Sequence, residues 1–187
     1  MTNDALVSYA LEGGIARIRM DDGKANVMSA AMLGQLNEAL DRAQEAQAVV
    51  VLEGRERMFS AGYDMAMFQR PADEIVATIR AGGELVTRML DFPRPVVAAC
   101  TGHAIAQGAF TLLAADVRIG VAGSFKLGLN EVAIGLTIPH YGVELARHRL
   151  AAPFFDHATM TGMLYPPERA REAGFRDEVG EAAELHE

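Results

Sequence analysis

The stretch that decides the fold runs from Val96 to Ala109 and reads Val-Val-Ala-Ala-Cys-Thr-Gly-His-Ala-Ile-Ala-Gln-Gly-Ala. Its first four residues are small and apolar, which predicts a strand buried on both faces. A glycine-containing loop follows, and the spacing of apolar residues then predicts a helix over 107–115. A buried strand that passes through such a loop into a helix is typical of an α/β protein with mainly parallel strands.

The same alternation extends in both directions from this stretch. Residues 7–11 and 15–20 flank Gly13-Gly14, which predicts a β-hairpin. Buried strands are predicted at 49–52 and 117–121. Helices are predicted after the N-cap Ser29 and near 74–90, 142–150, 154–161 and 166–174. Repeated strand–helix units predict a single α/β domain over residues 1–187, with right-handed crossovers.

Composition and charge exclude several classes of function. The chain has 187 residues, of which 50% are apolar and 22% are charged, an ordinary globular composition. A net charge of −8 disfavours nucleic acid and anionic membranes as partners, since both require a basic surface. Cys100 is the single cysteine, which is typical of a reducing compartment. With neither a signal-peptide pattern nor an apolar run of membrane-spanning length, we expect a cytoplasmic protein.

Two glycine-containing loops, at 58–64 and 101–109, are the first candidates for a functional site. Their small residues let a ligand approach the backbone, although the same glycines could serve only turns and close packing. Neither loop has the glycine spacing of a nucleotide-binding motif. The five histidines also lack the spacing of a zinc site, so no metal is expected.

Glu131 is the third candidate, because it is the one charged residue in the apolar segment 127–136. Glutamate is seldom buried unless it is paired or functional. Burial would raise its pKa and suit it to carry a proton near neutral pH. The alternative is that Glu131 faces solvent at the edge of a strand or helix.

Five ordered motifs together resemble the crotonase (enoyl-CoA hydratase/isomerase) superfamily. Phe59-Ser-Ala-Gly-Tyr-Asp64 is similar to the first oxyanion-hole loop of that family, F-S/A-A-G-x-D, and residues 97–109 are similar to the second. Ala-Ala-Asp-Val-Arg-Ile at 114–119 resembles the stretch that follows. Gly-Leu-Asn-Glu-Val at 128–132 resembles the segment with the active-site glutamate, and 167–174 resembles the end of the family core.

This resemblance implies a crotonase-like spiral of β-β-α units, with mostly parallel sheets flanked by helices. It also implies an acyl-CoA substrate and no permanently bound cofactor, with coenzyme A entering as part of the substrate. The backbone N–H groups of Tyr63 and Gln107 would hold the thioester oxygen, and Glu131 would carry the proton. The residues implied in substrate and CoA binding are Ala61, Gly62, Tyr63, Asp64, Met65, Ala66, Gln107 and Phe110.

Departures from the family pattern favour one reaction over another. Phe110 stands where hydratases of the family carry a second carboxylate, while Gly-Leu-Asn-Glu131 is the form typical of Δ3,Δ2-enoyl-CoA isomerases. One base and an oxyanion hole suffice for isomerisation, which the sequence therefore favours. Hydration or thioester hydrolysis, through Glu131 alone or with His140, stays open. So does an acyl-CoA-binding protein without turnover.

The family normally continues past its core into helices that cover the active site and help to form trimers, and this chain ends at Glu187. It is therefore either naturally short or a fragment. Without those helices, apolar faces are expected around Phe154, Phe155, Met160, Met163 and Leu164. Such faces favour self-association as a homotrimer. The alternative is a monomer in which these residues pack internally.

Overall fold

Nine strands and six α-helices make up the part of the chain that the computed structural model describes, residues 5–181 and 185. The strands are β1 (Val7–Glu12), β2 (Ile15–Met20), β3 (Val49–Glu53), β4 (Arg57–Ser60), β5 (Val96–Cys100), β6 (Gly102–Ile105), β7 (Val117–Val121), β8 (Leu127–Gly128) and β9 (Glu178–Gly180). The helices are α1 (Ala30–Glu45), α2 (Ala72–Leu90), α3 (Gln107–Leu113), α4 (His140–Arg149), α5 (Ala152–Thr161) and α6 (Pro167–Ala173). Short 3-10 helices span Met65–Gln69 and Val132–Ile134.

The strands form two sheets, between which the chain alternates. A six-stranded sheet has the order β1-β2-β3-β5-β7-β9, and a three-stranded sheet has the order β4-β6-β8. Among the described pairs of these nine strands, only the β1–β2 hairpin is antiparallel. The chain repeats one unit three times: a strand of the larger sheet, a strand of the smaller sheet and a helix. These units are β3-β4-α2, β5-β6-α3 and β7-β8-α4. These three β-β-α turns confirm the predicted spiral with mostly parallel sheets flanked by helices.

The smaller sheet corrects the sequence analysis, which assigned 58–64 and 101–109 to loops. These regions contain β4 and β6, which pair in parallel from Arg57 with Gly102 to Ser60 with Ala104. The backbones of these two strands approach so closely that a Cβ atom at position 102 would lie 2.0 Å from the carbonyl oxygen of Arg57. Gly102 is therefore required by strand pairing. Strands of two to four residues are too short to show a hydrophobic period, so the pattern did not reveal them.

Helix α3 lies at the centre of the core, since all seven of its residues are buried. Helix α1 instead buries only one stripe, and Ser29 caps it by accepting a hydrogen bond from the Met32 backbone N–H at 3.1 Å. A helix that is buried all round must satisfy its polar groups within the protein. Gln107, at the start of α3, is therefore held in the interior.

Helix α5 and the segment that follows it carry the apolar residues that were expected at the surface. Met160 and Met163 are exposed, at 71% and 48%. Phe154 and Phe155 are half-buried, with the guanidinium groups of Arg169 and Arg147 at 4.6 Å and 4.5 Å from the respective ring centres. These two cations cover part of the apolar surface. Among the described residues, no helix has both the length and the apolar composition that a bilayer crossing requires.

Candidate active site

The three-stranded sheet brings three chain segments together at the carboxyl end of its strands. Strands β4, β6 and β8 run parallel, and the segments that leave their carboxyl ends carry Tyr63, Gln107 and Glu131 respectively. Ligands commonly bind beyond the carboxyl ends of parallel strands. A cavity of about 290 Å³ lies here, lined by Ala61, Tyr63, Met65, Phe68, Ile105, Ala106, Asn130, Glu131, Ile134 and Leu136.

The loops after β4 and β6 touch each other at Gly62. A Cβ atom at this position would lie 2.8 Å from the Ile105 carbonyl oxygen and 3.2 Å from the Gln107 backbone nitrogen. Gly62 also has φ +88°, which a glycine adopts without strain. The residue next to Tyr63 is thus packed against the backbone of Gln107, and the two predicted oxyanion donors lie on adjoining loops.

The two backbone N–H groups that the resemblance assigns to the oxyanion hole are not used in holding the described fold together. Neither the Tyr63 nor the Gln107 N–H donates to an acceptor within the described residues. The first N–H of a helix has no partner inside the helix, and Gln107 is the first residue of α3. Ala106 precedes it with φ +52° and ψ −123°, a conformation that costs a residue with a side chain roughly 1–3 kcal/mol. That strain is stored where the chain turns from β6 into α3.

Glu131 is buried, with 7% of its surface exposed, so the alternative of a solvent-facing side chain is wrong. Its carbonyl oxygen accepts hydrogen bonds from the backbone N–H groups of Ile134 and Leu136, at 3.1 Å and 2.9 Å, which fix the turn. Its Oε2 atom has no hydrogen-bond partner, and burial raises the pKa of the carboxyl to about 7. A carboxyl with this pKa and one partnerless oxygen, beside a cavity, can take up and return a proton near neutral pH.

A chain of hydrogen bonds links three polar side chains beside this cavity. The Tyr63 and Tyr141 hydroxyl oxygens are 3.1 Å apart. The Tyr141 hydroxyl donates to Gln107 Oε1 at 2.6 Å, and Gln107 Nε2 donates to the Gly82 carbonyl at 3.1 Å. Burial raises the pKa of Tyr141 to about 12 and that of Tyr63 further, so both phenols stay neutral.

The predicted binding residues occupy several environments. Ala61, Tyr63 and Met65 line the cavity, and Gly62 is buried behind them. Asp64 and Ala66 are exposed, and Asp64 Oδ1 accepts a hydrogen bond from the Ala66 N–H at 2.9 Å.

Gln107 and Phe110 do not line the cavity. Both side chains are buried, and the Phe110 ring packs edge-on against Tyr141 with 5.8 Å between ring centres. Gly142 also packs against this ring, since a Cβ atom there would be 2.5 Å from Phe110 Cζ. Tyr141 therefore stands beside the position that the resemblance assigned to a second carboxylate.

Sequence reasoning missed the apolar wall of the cavity, formed by Phe68, Ile105, Ile134 and Leu136, and it missed the role of Tyr141. His140, which the sequence analysis considered as a helper of Glu131, is exposed at the first turn of α4. Across residues 5–181, no cluster of three His, Cys, Asp or Glu side chains is suitable for a metal ion.

Comparisons with known proteins agree with the motifs and the fold. The family described as "Enoyl-CoA hydratase/isomerase" matches residues 10–187. The crystal structure of an enoyl-CoA hydratase/isomerase family protein from Pseudomonas syringae has a TM-score of 0.96 and 43% identity, and the match covers 98% of this chain and 80% of that one.

Two curated relatives carry the names of two different reactions. A Bacillus subtilis protein named "Probable enoyl-CoA hydratase" is 31% identical over 70% of this chain and 52% of its own length. Rat mitochondrial "Enoyl-CoA delta isomerase 1" is 29% identical over 97% of this chain and 64% of its own length. The chain thus spans between half and two thirds of these relatives. Its motifs, its fold and these similarities together establish that it belongs to the enoyl-CoA hydratase/isomerase family, within the crotonase superfamily.

Proposed function

We propose that this chain isomerises 3-enoyl-CoA thioesters to 2-enoyl-CoA thioesters. Glu131 removes a proton from C2, the electron pair of the C2–H bond forms a C1–C2 double bond, and the carbonyl electron pair moves onto the thioester oxygen to give a dienolate conjugated with the C3–C4 double bond. The backbone N–H groups of Tyr63 and Gln107 hold the thioester oxygen as it gains negative charge. Glu131 then returns the proton to C4, which leaves the double bond between C2 and C3. No cofactor is consumed, and coenzyme A leaves as part of the product.

The observation that carries this proposal is the single carboxyl at the cavity. Glu131 Oε2 has no partner, and the ten residues that line the cavity include no other carboxylate or histidine. One base is enough to move a proton between two carbons of the same substrate. The two backbone N–H donors would stabilise the negative charge on the thioester oxygen, since one oxyanion donor contributes about 2.7–4 kcal/mol in enzymes of known mechanism.

Hydration is the second candidate, because the relatives include proteins named as hydratases. It requires a water molecule oriented by acid–base groups, and Phe110 offers no such group at the second position. Thioester hydrolysis meets the same difficulty. The cytoplasmic location favoured by composition stays a prediction.

Glu131→Gln tests the proposal, since it keeps the volume of the side chain and removes the base. We expect turnover of a short 3-enoyl-CoA, followed by the absorbance of the conjugated thioester, to fall by ~10²-fold or more. Binding of a saturated acyl-CoA, measured by calorimetry, should survive. The matched control is Glu45→Gln, at the exposed end of α1, which should keep full turnover. Near wild-type turnover in Glu131→Gln would reject the assignment of Glu131 as the base.

A further inference from the structure

Three side chains from distant parts of the sequence meet where helices α2, α3 and α4 converge. Tyr63 comes from the loop after β4, Gln107 from the start of α3, and Tyr141 from α4. Two of them, Tyr63 and Gln107, are also the residues whose backbone N–H groups face the proposed oxyanion. The side chains of both bind the same third group, the Tyr141 hydroxyl.

Helix α2 is shaped to receive this cluster. A Cβ atom at Gly82 would lie 1.9 Å from the Tyr63 hydroxyl oxygen, and one at Gly83 would lie 2.9 Å from the Tyr141 ring. Two consecutive glycines weaken a helix, so their presence in the middle of α2 has a packing reason. The α2 backbone also supplies the terminal acceptors, because the carbonyl of Ile79 accepts from Tyr63 at 3.3 Å and that of Gly82 accepts from Gln107.

The direction of the hydrogen bonds follows from the number of protons available. The Tyr141 hydroxyl has one proton and uses it at Gln107 Oε1, so its oxygen can only accept from Tyr63. The one proton of the Tyr63 hydroxyl is then shared between the Tyr141 oxygen and the Ile79 carbonyl, while Gln107 Nε2 ends the chain at the Gly82 carbonyl of α2. The Tyr141 ring is held in place between Phe110 and Gly83, which fixes the position of its hydroxyl.

We propose that Tyr141 is a positioning residue of the oxyanion hole. Its hydroxyl joins the side chains of Tyr63 and Gln107, and so fixes the separation and direction of the two backbone N–H groups that face the thioester oxygen. Stabilisation of an oxyanion depends on donor distances of about 2.7–3.1 Å, and small displacements of a catalytic group have large effects on rate. The inference rests on the proposed function, because it needs a thioester oxygen at this position.

Tyr141→Phe tests this role, because it removes the hydroxyl and keeps the ring between Phe110 and Gly83. We expect kcat for the 3-enoyl-CoA to fall about tenfold or more with KM nearly unchanged, since the loss acts on the transition state. A second measurement needs no turnover: the carbonyl stretching frequency of bound butyryl-CoA, by isotope-edited infrared spectroscopy. The wild-type protein should lower this frequency relative to free butyryl-CoA, and Tyr141→Phe should lower it less.

Tyr165→Phe is the matched control. Tyr165 is also a buried tyrosine, and its hydroxyl is 2.7 Å from His157 Nδ1, outside the cluster. This variant loses the same group and should keep the wild-type kcat and carbonyl frequency. Tyr63→Phe serves as the second variant should Tyr141→Phe fail to fold. It leaves the Tyr141–Gln107 bond intact and should reduce the frequency shift in part.

The outcomes separate this inference from the proposed function. A frequency shift that is present in the wild type and reduced in Tyr141→Phe, without isomerisation of any enoyl-CoA, would support Tyr141 and reject the isomerase. Wild-type frequency and kcat in Tyr141→Phe, or in Tyr63→Phe where it alone folds, would overturn the role of Tyr141. The role of Tyr141 would also be overturned if Tyr165→Phe lost as much kcat and carbonyl frequency shift as Tyr141→Phe. The same holds if the wild-type protein caused no shift in the carbonyl frequency.

Discussion

At the scale of single residues, the ionisation of Glu131 is coupled to the stability of the fold. Burial raises the pKa of this carboxyl from 4.5 to about 7. Between these two values the folded chain binds more protons than the unfolded chain, so the free energy of unfolding falls as the pH rises. The stability that the protonated Glu131 carboxyl contributes is fully present below pH 4.5 and is lost as the pH rises through 7. Its size is roughly 3 kcal/mol.

Glu131→Gln should therefore remove a specific part of the pH dependence of stability. Urea unfolding at pH 4.5 and pH 8 measures it for both proteins. The wild type should lose roughly 3 kcal/mol more than the variant over this interval, because the amide does not titrate. Other ionisable groups are common to both proteins and cancel in the difference. If the free energy of unfolding changed with pH equally in both proteins, the pKa of the Glu131 carboxyl would not be raised by folding.

The sequence indicated Glu131 and the backbone positions Tyr63 and Gln107, because each lies in a local motif. It could not indicate Tyr141, whose hydroxyl contacts residues 34 and 78 positions away along the chain. Such contacts depend on how α4 packs against α2 and α3. The placement of Phe110 behind Tyr141, outside the cavity wall, depends on the same packing.

At the scale of elements, long periodic segments were predicted well and short paired strands were not. The apolar stripe of α1 and the β1–β2 hairpin follow directly from the spacing of their residues. Strands β4, β6 and β8 depend on pairing within the smaller sheet, and their short lengths hide them in the sequence. They are nevertheless the elements that bring the candidate site together.

Two glycines in helices make a matched test of the packing between α2 and the site. Gly34 in α1 faces open space, so Gly34→Ala should raise the free energy of unfolding by about 1 kcal/mol through helix propensity. Gly82→Ala should forfeit this gain and lower kcat, because its Cβ must displace the Tyr63 hydroxyl. Thermal unfolding and turnover of both variants measure the difference. Equal gains in stability with unchanged kcat would contradict the close packing described for Gly82.

At the scale of the whole molecule, the alternation of the chain between two sheets accounts for the position of the site. Each β-β-α turn delivers one segment to the open end of the smaller sheet, where the cavity lies. Apolar side chains remain exposed next to it and on α5, including Met65 at 57% and Met160 at 71%. They are consistent with self-association, and the homotrimer stays a prediction.

The most direct test of the account compares two reactions of the unmodified protein on acyl chains of the same length. One assay follows formation of the conjugated thioester from 3-enoyl-CoA, and the other follows its loss by hydration of 2-enoyl-CoA. With Glu131 as the base and Phe110 at the second position, isomerisation should exceed hydration in kcat/KM by ~10²-fold. Hydration as fast as isomerisation, or faster, would contradict the assignment of a single-base isomerase.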